Sequence, residues 1–136
     1  MHEIRIPSRW TDFDALGHVT HAAYPVFLDE ARDAYLTEAV GSFSDWPCVV
    51  AHVSIDYRRE LRLPTREVIV RTTVTETGRT SVSFEQQVLG PDGEAAVDAR
   101  SVVVAWDEDR RQPRELGVDD AARLRGLSPS AGAARG

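Results

Sequence analysis

The sequence holds a single cysteine, Cys48, so no internal disulfide staples it and the fold is independent of an oxidising compartment. It has no apolar run of membrane-spanning length. Its first ten residues, MHEIRIPSRW, lack the basic-then-apolar layout of a signal peptide. Both absences point to the cytoplasm and away from a membrane. Positive charge is scarce: 16 basic residues against 22 acidic give a net charge of −6, which leaves no field for a nucleic-acid backbone. A small anion held by a few local arginines stays open. No GxSxG elbow, phosphate-cradling glycine loop or dinucleotide fingerprint occurs, and no internal repeat.

What is present fits one soluble globular domain. The chain has 136 residues, 42% apolar and 28% charged, enough for a single core. The domain is expected over residues 1–127, with SPSAGAARG (128–136) as a flexible tail. Cys48 lies in the apolar run WPCVVAHV and reads as an inert core thiol.

Residues 2–10 read as a strand or extended arm. Ala22 to Val40 carries Phe27, Leu28, Ala31, Ala34 and Tyr35 at helical spacing, with Pro25 in the first turn. GSFSDWP then ends the helix. From Pro47 the period becomes two: Val49, Ala51, Val53, Ile55 and Tyr57 alternate with His52, Ser54, Asp56 and Arg58. REVIVRTTVTET, TSVSFEQQVL and EAAVDARSVVVAWDED follow, the last two pairs joined by hairpin-like turns at Gly78-Arg79 and GPDG. GVDDAARLRGL is a short amphipathic helix at best. The order is strand, helix, four long strands: an α+β architecture. Five strands curling around one helix satisfy it, with the other sheet face left for a partner chain.

Between the first strand and the helix, RWTDFDALGHVTHAAY crowds Asp12, Asp14, His18 and His21 around Gly17. A carboxylate fixed beside a bound electrophile acts as base or nucleophile. A helix N-terminus just beyond it offers unpaired N–H groups to an oxyanion. Asp14, seven residues before His21, with Gly17 letting the chain double back, puts both on one carbonyl. That describes acyl transfer or hydrolysis without a metal or a serine. The aspartates also read as turn formers bonding their own backbone, His21 as a structural helix-start residue, and His52 as a satisfied sheet histidine. The His/Asp spacing matches no standard metal-ligand set.

These residues resemble the signature of the hot-dog-fold acyl-CoA thioesterases of the 4-hydroxybenzoyl-CoA thioesterase type. That signature is an aromatic residue, Asp-x-Asp, a small linker, Gly, and a helix beginning near a polar residue and a Tyr. Trp10, Asp12, Asp14, Gly17, His21 and Tyr24 stand in those places. The resemblance runs over residues 4–108. Trp10-Thr11 replace a frequent Tyr or Phe, Thr20-His21 a common Asn, and Pro64 a frequent Gly.

The resemblance implies a long central helix wrapped by a curved antiparallel five-stranded sheet, assembled as a homodimer or homotetramer. It implies an acyl-CoA or aroyl-CoA substrate and no metal or cofactor. It makes Asp14 the catalytic carboxylate, with Gly17 permitting close approach of substrate and His21 catalytic or orienting. It places Trp10, Tyr24, Arg59 and Arg79 on substrate, Arg79 toward the nucleotide end, with Arg58, Arg62 and Arg66 to assist. Phe27 and Trp46 are expected around the acyl group, and Asp12 is a structural turn residue. A carrier-protein thioesterase would need the same residues. A non-catalytic acyl-CoA-binding module would have no use for Asp14, and a dehydratase fits less well because both histidines precede the helix.

Overall fold

A computed structural model describes residues 1–62 and 65–126 of the chain. The apolar spacing makes α1 (Ala23–Ala39), which buries Tyr24, Phe27, Leu28, Ala31, Tyr35 and Leu36. Pro25 falls in its first turn, where a backbone N–H has no helical acceptor. At the far end the Val40 and Gly41 amides both donate to the Leu36 carbonyl, and Gly41, at φ +122°, turns the chain away. The expected helix is met to within one residue at each end. Ala34, expected on the apolar stripe, is only half-buried.

β1 (His2–Pro7) precedes the helix. β2 (Cys48–Tyr57), β3 (Glu67–Thr77), β4 (Ser81–Leu89) and β5 (Ala95–Asp107) follow it, then a two-residue β6 (Gln112–Pro113) and α2 (Val118–Gly126). All pairings are antiparallel in the order β1-β3-β4-β5-β2, with β6 added to β5. The four long strands β2 to β5 lie where the sequence placed them, and β1 takes the place of the expected strand or arm. The two hairpins β3–β4 and β4–β5 also form where the turns placed them. β2, however, crosses to the far edge and pairs with β5 rather than with its sequence neighbour. The tail 128–136 and Pro64 lie outside the described residues.

A bulge at Ala51, between Val50 and His52, reverses the parity of β2. The apolar face expected of Val49, Ala51, Val53, Ile55 and Tyr57 is corrected accordingly. Val50, Val53, Ile55 and Tyr57 face inward, opposite the buried Val103, Ser101, Ala99 and Val97, while Val49 turns outward beside Val104.

The outer sheet face is polar, presenting Arg71, Thr73, Glu85, Gln87, Asp98 and Arg100, with Glu85 and Arg100 as an ion pair. The uncovered apolar surface is instead the inner side of the β2 edge. Val50, Val53 and Tyr57 there remain 49%, 39% and 51% exposed.

Between helix and sheet lies a buried polar cross-beam. The Arg32 guanidinium, 4% exposed, donates to Gln86 Oε1 at 3.1 Å and Ser101 Oγ at 3.3 Å, and pairs with Asp29. The Gln86 amide in turn donates to the Leu28 carbonyl and to Thr72 Oγ1, both at 3.1 Å. Burial pulls the guanidinium pKa down, with Asp29 opposing. Arg32→Leu fills similar space but leaves two buried acceptors without a donor. We expect it to destabilise the fold by about 2–4 kcal/mol in urea unfolding; no change in midpoint would refute the cross-beam.

Candidate active site

The polar stretch folds as a small ordered loop held by its backbone. Phe13 and Val19 form a bridge, the Asp14 amide donates to the His18 carbonyl at 3.0 Å, and the Gly17 amide returns to the Asp14 carbonyl at 3.0 Å. Gly17 closes this turn at φ +78°, a region L side chains rarely occupy. A Cβ there would meet nothing within 4 Å, so the backbone angle, not crowding, calls for glycine. The loop is anchored to the segment after β2, where the Val19 amide donates to the Leu61 carbonyl at 2.7 Å and His18 bridges Arg62.

The two aspartates are sorted by this loop. Asp12 is buried, and its carboxylate accepts from the Arg9 amide at 2.7 Å and the Arg9 guanidinium at 3.0 Å. It is a structural residue. Asp14 is partly open. Its Oδ1 accepts from the Leu16 amide at 2.9 Å, its Oδ2 lies 3.1 Å from His18 Nδ1, and its side chain is 32% exposed. The carboxylate is oriented from two sides while one face looks into a cleft.

That cleft, about 330 Å³, is lined by Asp14, His18, Val19, His21, Tyr24, Tyr57 and the Arg58–Glu60 segment. It lies where the start of α1 meets the end of β2. The Ala23 amide is used by the Thr20 carbonyl at 3.0 Å. The amides of His21 and Ala22, both exposed residues, have no protein acceptor among the described residues. Tyr24 is almost fully buried, and burial pushes its hydroxyl up to about 12, so it stays a neutral donor at physiological pH. Among the described residues no group of three His, Cys, Asp or Glu side chains is placed to hold a metal.

Of the residues expected at the site, Asp14, His21, Tyr24 and Arg59 share this cleft, and Gly17 shapes the loop behind Asp14. Arg59 is committed to Asp92 at 2.8 Å and Glu94 at 2.9 Å across the β4–β5 turn. Arg58 pairs with Asp98. Trp10 is 90% exposed and does not line the cleft. Arg79 lies in the β3–β4 hairpin, 3.4 Å from Glu115. Seven residues of β5 separate the partner of Tyr57 from that of Ser81, about 23 Å, so Arg79 and Asp14 occupy opposite ends of the sheet. Phe27 is core, and Trp46 is buried at the far end of α1 with its indole N–H on Asp120 at 3.0 Å. Neither lines the cleft. Tyr57 was missed by sequence reasoning, which singled out His18 in the polar cluster but gave it no role in the site. The i,i+4 spacing of Asp14 and His18 was a usable signal; nothing in the sequence brings Tyr57 to the loop.

A family model for the thioesterase-like superfamily matches residues 8–124. The chain belongs to that superfamily. Its fold is the hot-dog thioesterase fold, and solved structures agree. A thioesterase from Thermus thermophilus, complexed with coenzyme A and Zn, is 28% identical, with 91% of this chain and 97% of that one covered and a TM-score of 0.82. A protein from Pseudomonas aeruginosa strain PAO1 is 26% identical over 96% and 94%, with a TM-score of 0.83. DHNA-CoA thioesterase from Staphylococcus aureus shares the fold at 22% identity over 85% and 80%, with a TM-score of 0.77. No curated protein matches the chain. Membership of the thioesterase-like superfamily supports thioester hydrolysis as the general activity. No helix among the described residues is long and apolar enough to cross a membrane.

The loop of this thioesterase-like chain makes a stability prediction of its own. Gly17→Ala meets no atom but forces a left-handed backbone angle, which costs about 1–2 kcal/mol. A thermal melt with an unchanged midpoint would show that the loop relaxes freely.

Proposed function

We propose that the chain hydrolyses acyl-CoA or aroyl-CoA thioesters, as a thioesterase of the 4-hydroxybenzoyl-CoA type, with Asp14 as its working carboxylate. The observation that carries this reading is one cleft holding the oriented Asp14 carboxylate beside His21, whose amide at the start of α1 has no protein acceptor among the described residues. A thioester carbonyl seated there has a negative oxygen on one side and the His21 N–H on the other.

Asp14 takes a proton from water whose oxygen bonds to the carbonyl carbon, or bonds to that carbon itself and is released later by water. In both routes the carbonyl oxygen becomes an oxyanion, facing the His21 amide and the positive end of the helix. Collapse breaks the carbon–sulfur bond; the sulfur leaves as the free thiol with the proton Asp14 took from water or, in the covalent route, with one from solvent, after which water splits the acyl–Asp14 anhydride. The His18 ring, with Nδ1 3.1 Å from Oδ2, stands against the Asp14 carboxylate. The coenzyme-A-bound relative supports coenzyme A as the thiol half of the substrate.

The site also favours two copies. The inner face of β2 is apolar, uncovered and continuous with the cleft through Tyr57, and β2 is a free sheet edge. Antiparallel pairing of β2 with β2 of a second copy covers that edge. It also runs the second sheet in reverse, which brings the Arg79 hairpin of the second copy to the Asp14 end. A homodimer is the unit this supports, with a homotetramer as two such dimers and the cytoplasm as its compartment.

Free-thiol release from a panel of acyl- and aroyl-CoAs tests the chemistry. Asp14→Asn should lower turnover of any accepted substrate by about a hundredfold or more. Undiminished turnover would move the chemistry elsewhere, and no release from any CoA would turn attention to carrier-protein thioesters. For the assembly, Val53→Asp places a charge on the β2 inner face. In sedimentation we expect it to convert a self-associating chain into a monomer; a variant that still associates would place the interface elsewhere.

A further inference from the structure

We propose that the cleft selects thioesters whose acyl half is uncharged, with Glu60 and the two carboxylates seated on Arg59 setting the preference. This selectivity rests on the thioester-hydrolase reading of the cleft and names its substrate class. The cleft is lined by two carboxylates, Asp14 and Glu60, and by two guanidinium groups, Arg58 and Arg59. Neither arginine is free to receive an anion. Arg59 donates to both oxygens of Asp92, at 3.0 and 2.8 Å, and lies 2.9 Å from Glu94. Arg58 pairs with Asp98, which belongs to the outer sheet face.

Local structure fixes these pairs. The Arg58 and Arg59 amides both donate to the Ala96 carbonyl, at 2.8 and 3.1 Å, which pins their segment beside the start of β5. Asp92 stands in the β4–β5 turn, where its Oδ1 also accepts from the Glu94 amide at 3.1 Å. Hydrogen bonds from Arg59, and then from the Glu94 amide, hold the Asp92 carboxyl below the usual carboxylate range. Those from Gln87 and Arg58 do the same for Asp98. Both therefore stay ionised and stay on their arginines. Glu60 is left with Arg62 at 3.7 Å, a pair more than half exposed on both sides and screened by water. With histidines neutral, as at about pH 8, five carboxylates (Asp14, Glu60, Asp92, Glu94, Asp98) face three guanidinium groups (Arg58, Arg59, Arg62), a balance of −2.

The reacting carbon lies against Asp14, so a group two or three bonds from it on the acyl side enters the same cleft of about 330 Å³. A carboxylate there meets Asp14 and Glu60 and, among the lining residues, no uncommitted guanidinium. A neutral chain or ring meets Val19, Tyr24 and Tyr57 instead. Arg79, which pairing of two copies brings to this end, lies 3.4 Å from Glu115 and adds no unpaired cation. The phosphates of coenzyme A are the same in neutral and anionic substrates, so they cancel when the two are compared.

Substrate pairs alike in size and different in charge test this on the full chain at about pH 8: malonyl-CoA against butyryl-CoA, succinyl-CoA against valeryl-CoA, and 4-carboxybenzoyl-CoA against 4-methylbenzoyl-CoA. At low salt kcat/KM should be about tenfold or more lower for the anionic member, and the gap should narrow at about 0.5 M salt. Glu60→Gln should narrow it about threefold. Asp92→Asn with Glu94→Gln, which frees Arg59, should narrow it about tenfold. An anionic member turned over as well as its neutral partner would overturn the proposal. So would a gap that salt leaves unchanged, a test on the wild type that stands even where a variant fails to fold, or a gap that the folded variants leave unchanged. Should no thioester be hydrolysed, calorimetry with the thioethers S-(2-carboxyethyl)-CoA and S-butyl-CoA decides. Tighter binding of the neutral thioether, lost in the Asp92→Asn, Glu94→Gln variant, would retire the hydrolase reading while upholding the charge selectivity; equal or absent binding would overturn both.

Discussion

One helix has to close a sheet of five long strands, and it is too narrow to do so. A helix with its side chains is about 10–12 Å across and strands are about 4.8 Å apart, so it covers two or three of them. α1 lies over β1, β3 and β4. Long side chains extend its cover to β5, whose inward residues Val97, Ala99, Ser101 and Val103 are all buried. β2 is left over. Its inner Val50, Val53 and Tyr57 are open, and only Ile55 packs against the core. That shortfall produces both functional features of the molecule: an uncapped apolar edge, and a cleft where the N-terminus of α1 stands off from the end of β2.

The reach across to β5 also explains a charge in the core. Arg32 is long enough to cross from α1 to Ser101, and its apolar stem helps cover the strands beneath it. Gln86 and Ser101 receive the guanidinium, and Asp29 at the rim balances it. A shorter or apolar residue would leave Gln86 facing hydrocarbon, since its own amide is already bound to Leu28 and Thr72. Helix and sheet are thereby fixed in register along their length, which holds the start of α1 beside the Asp14 loop.

Much of this was legible in the residues. The 3.6 period found α1 and the period of two found the long strands, because both signals come from burial of one side of a local element. The sorting of Asp12 from Asp14 came from the family resemblance, since the residues alone let both be turn formers. Three things were not legible. The bulge at Ala51 leaves no mark among CVVAHVSI and inverts which β2 residues face the core. The crossing of β2 to the far side of β5 depends on pairings between strands some 50 residues apart, which no local pattern encodes. Tyr57 reaches the loop only because of both, so a residue that read as one more strand aromatic becomes a wall of the cleft.

By itself the sequence determined the element types and their order, the turn at Gly17, and the clustering of Asp14, His18 and His21 within eight residues. These rest on short-range physics: φ preferences, hydrogen bonds within a turn, and the periods of helix and strand. Tertiary structure alone decided the rest. It put Tyr57 against His21, set Arg79 at the opposite end of the sheet, and left the β2 edge bare, because strand order and helix placement follow from how all the apolar faces can be buried at once.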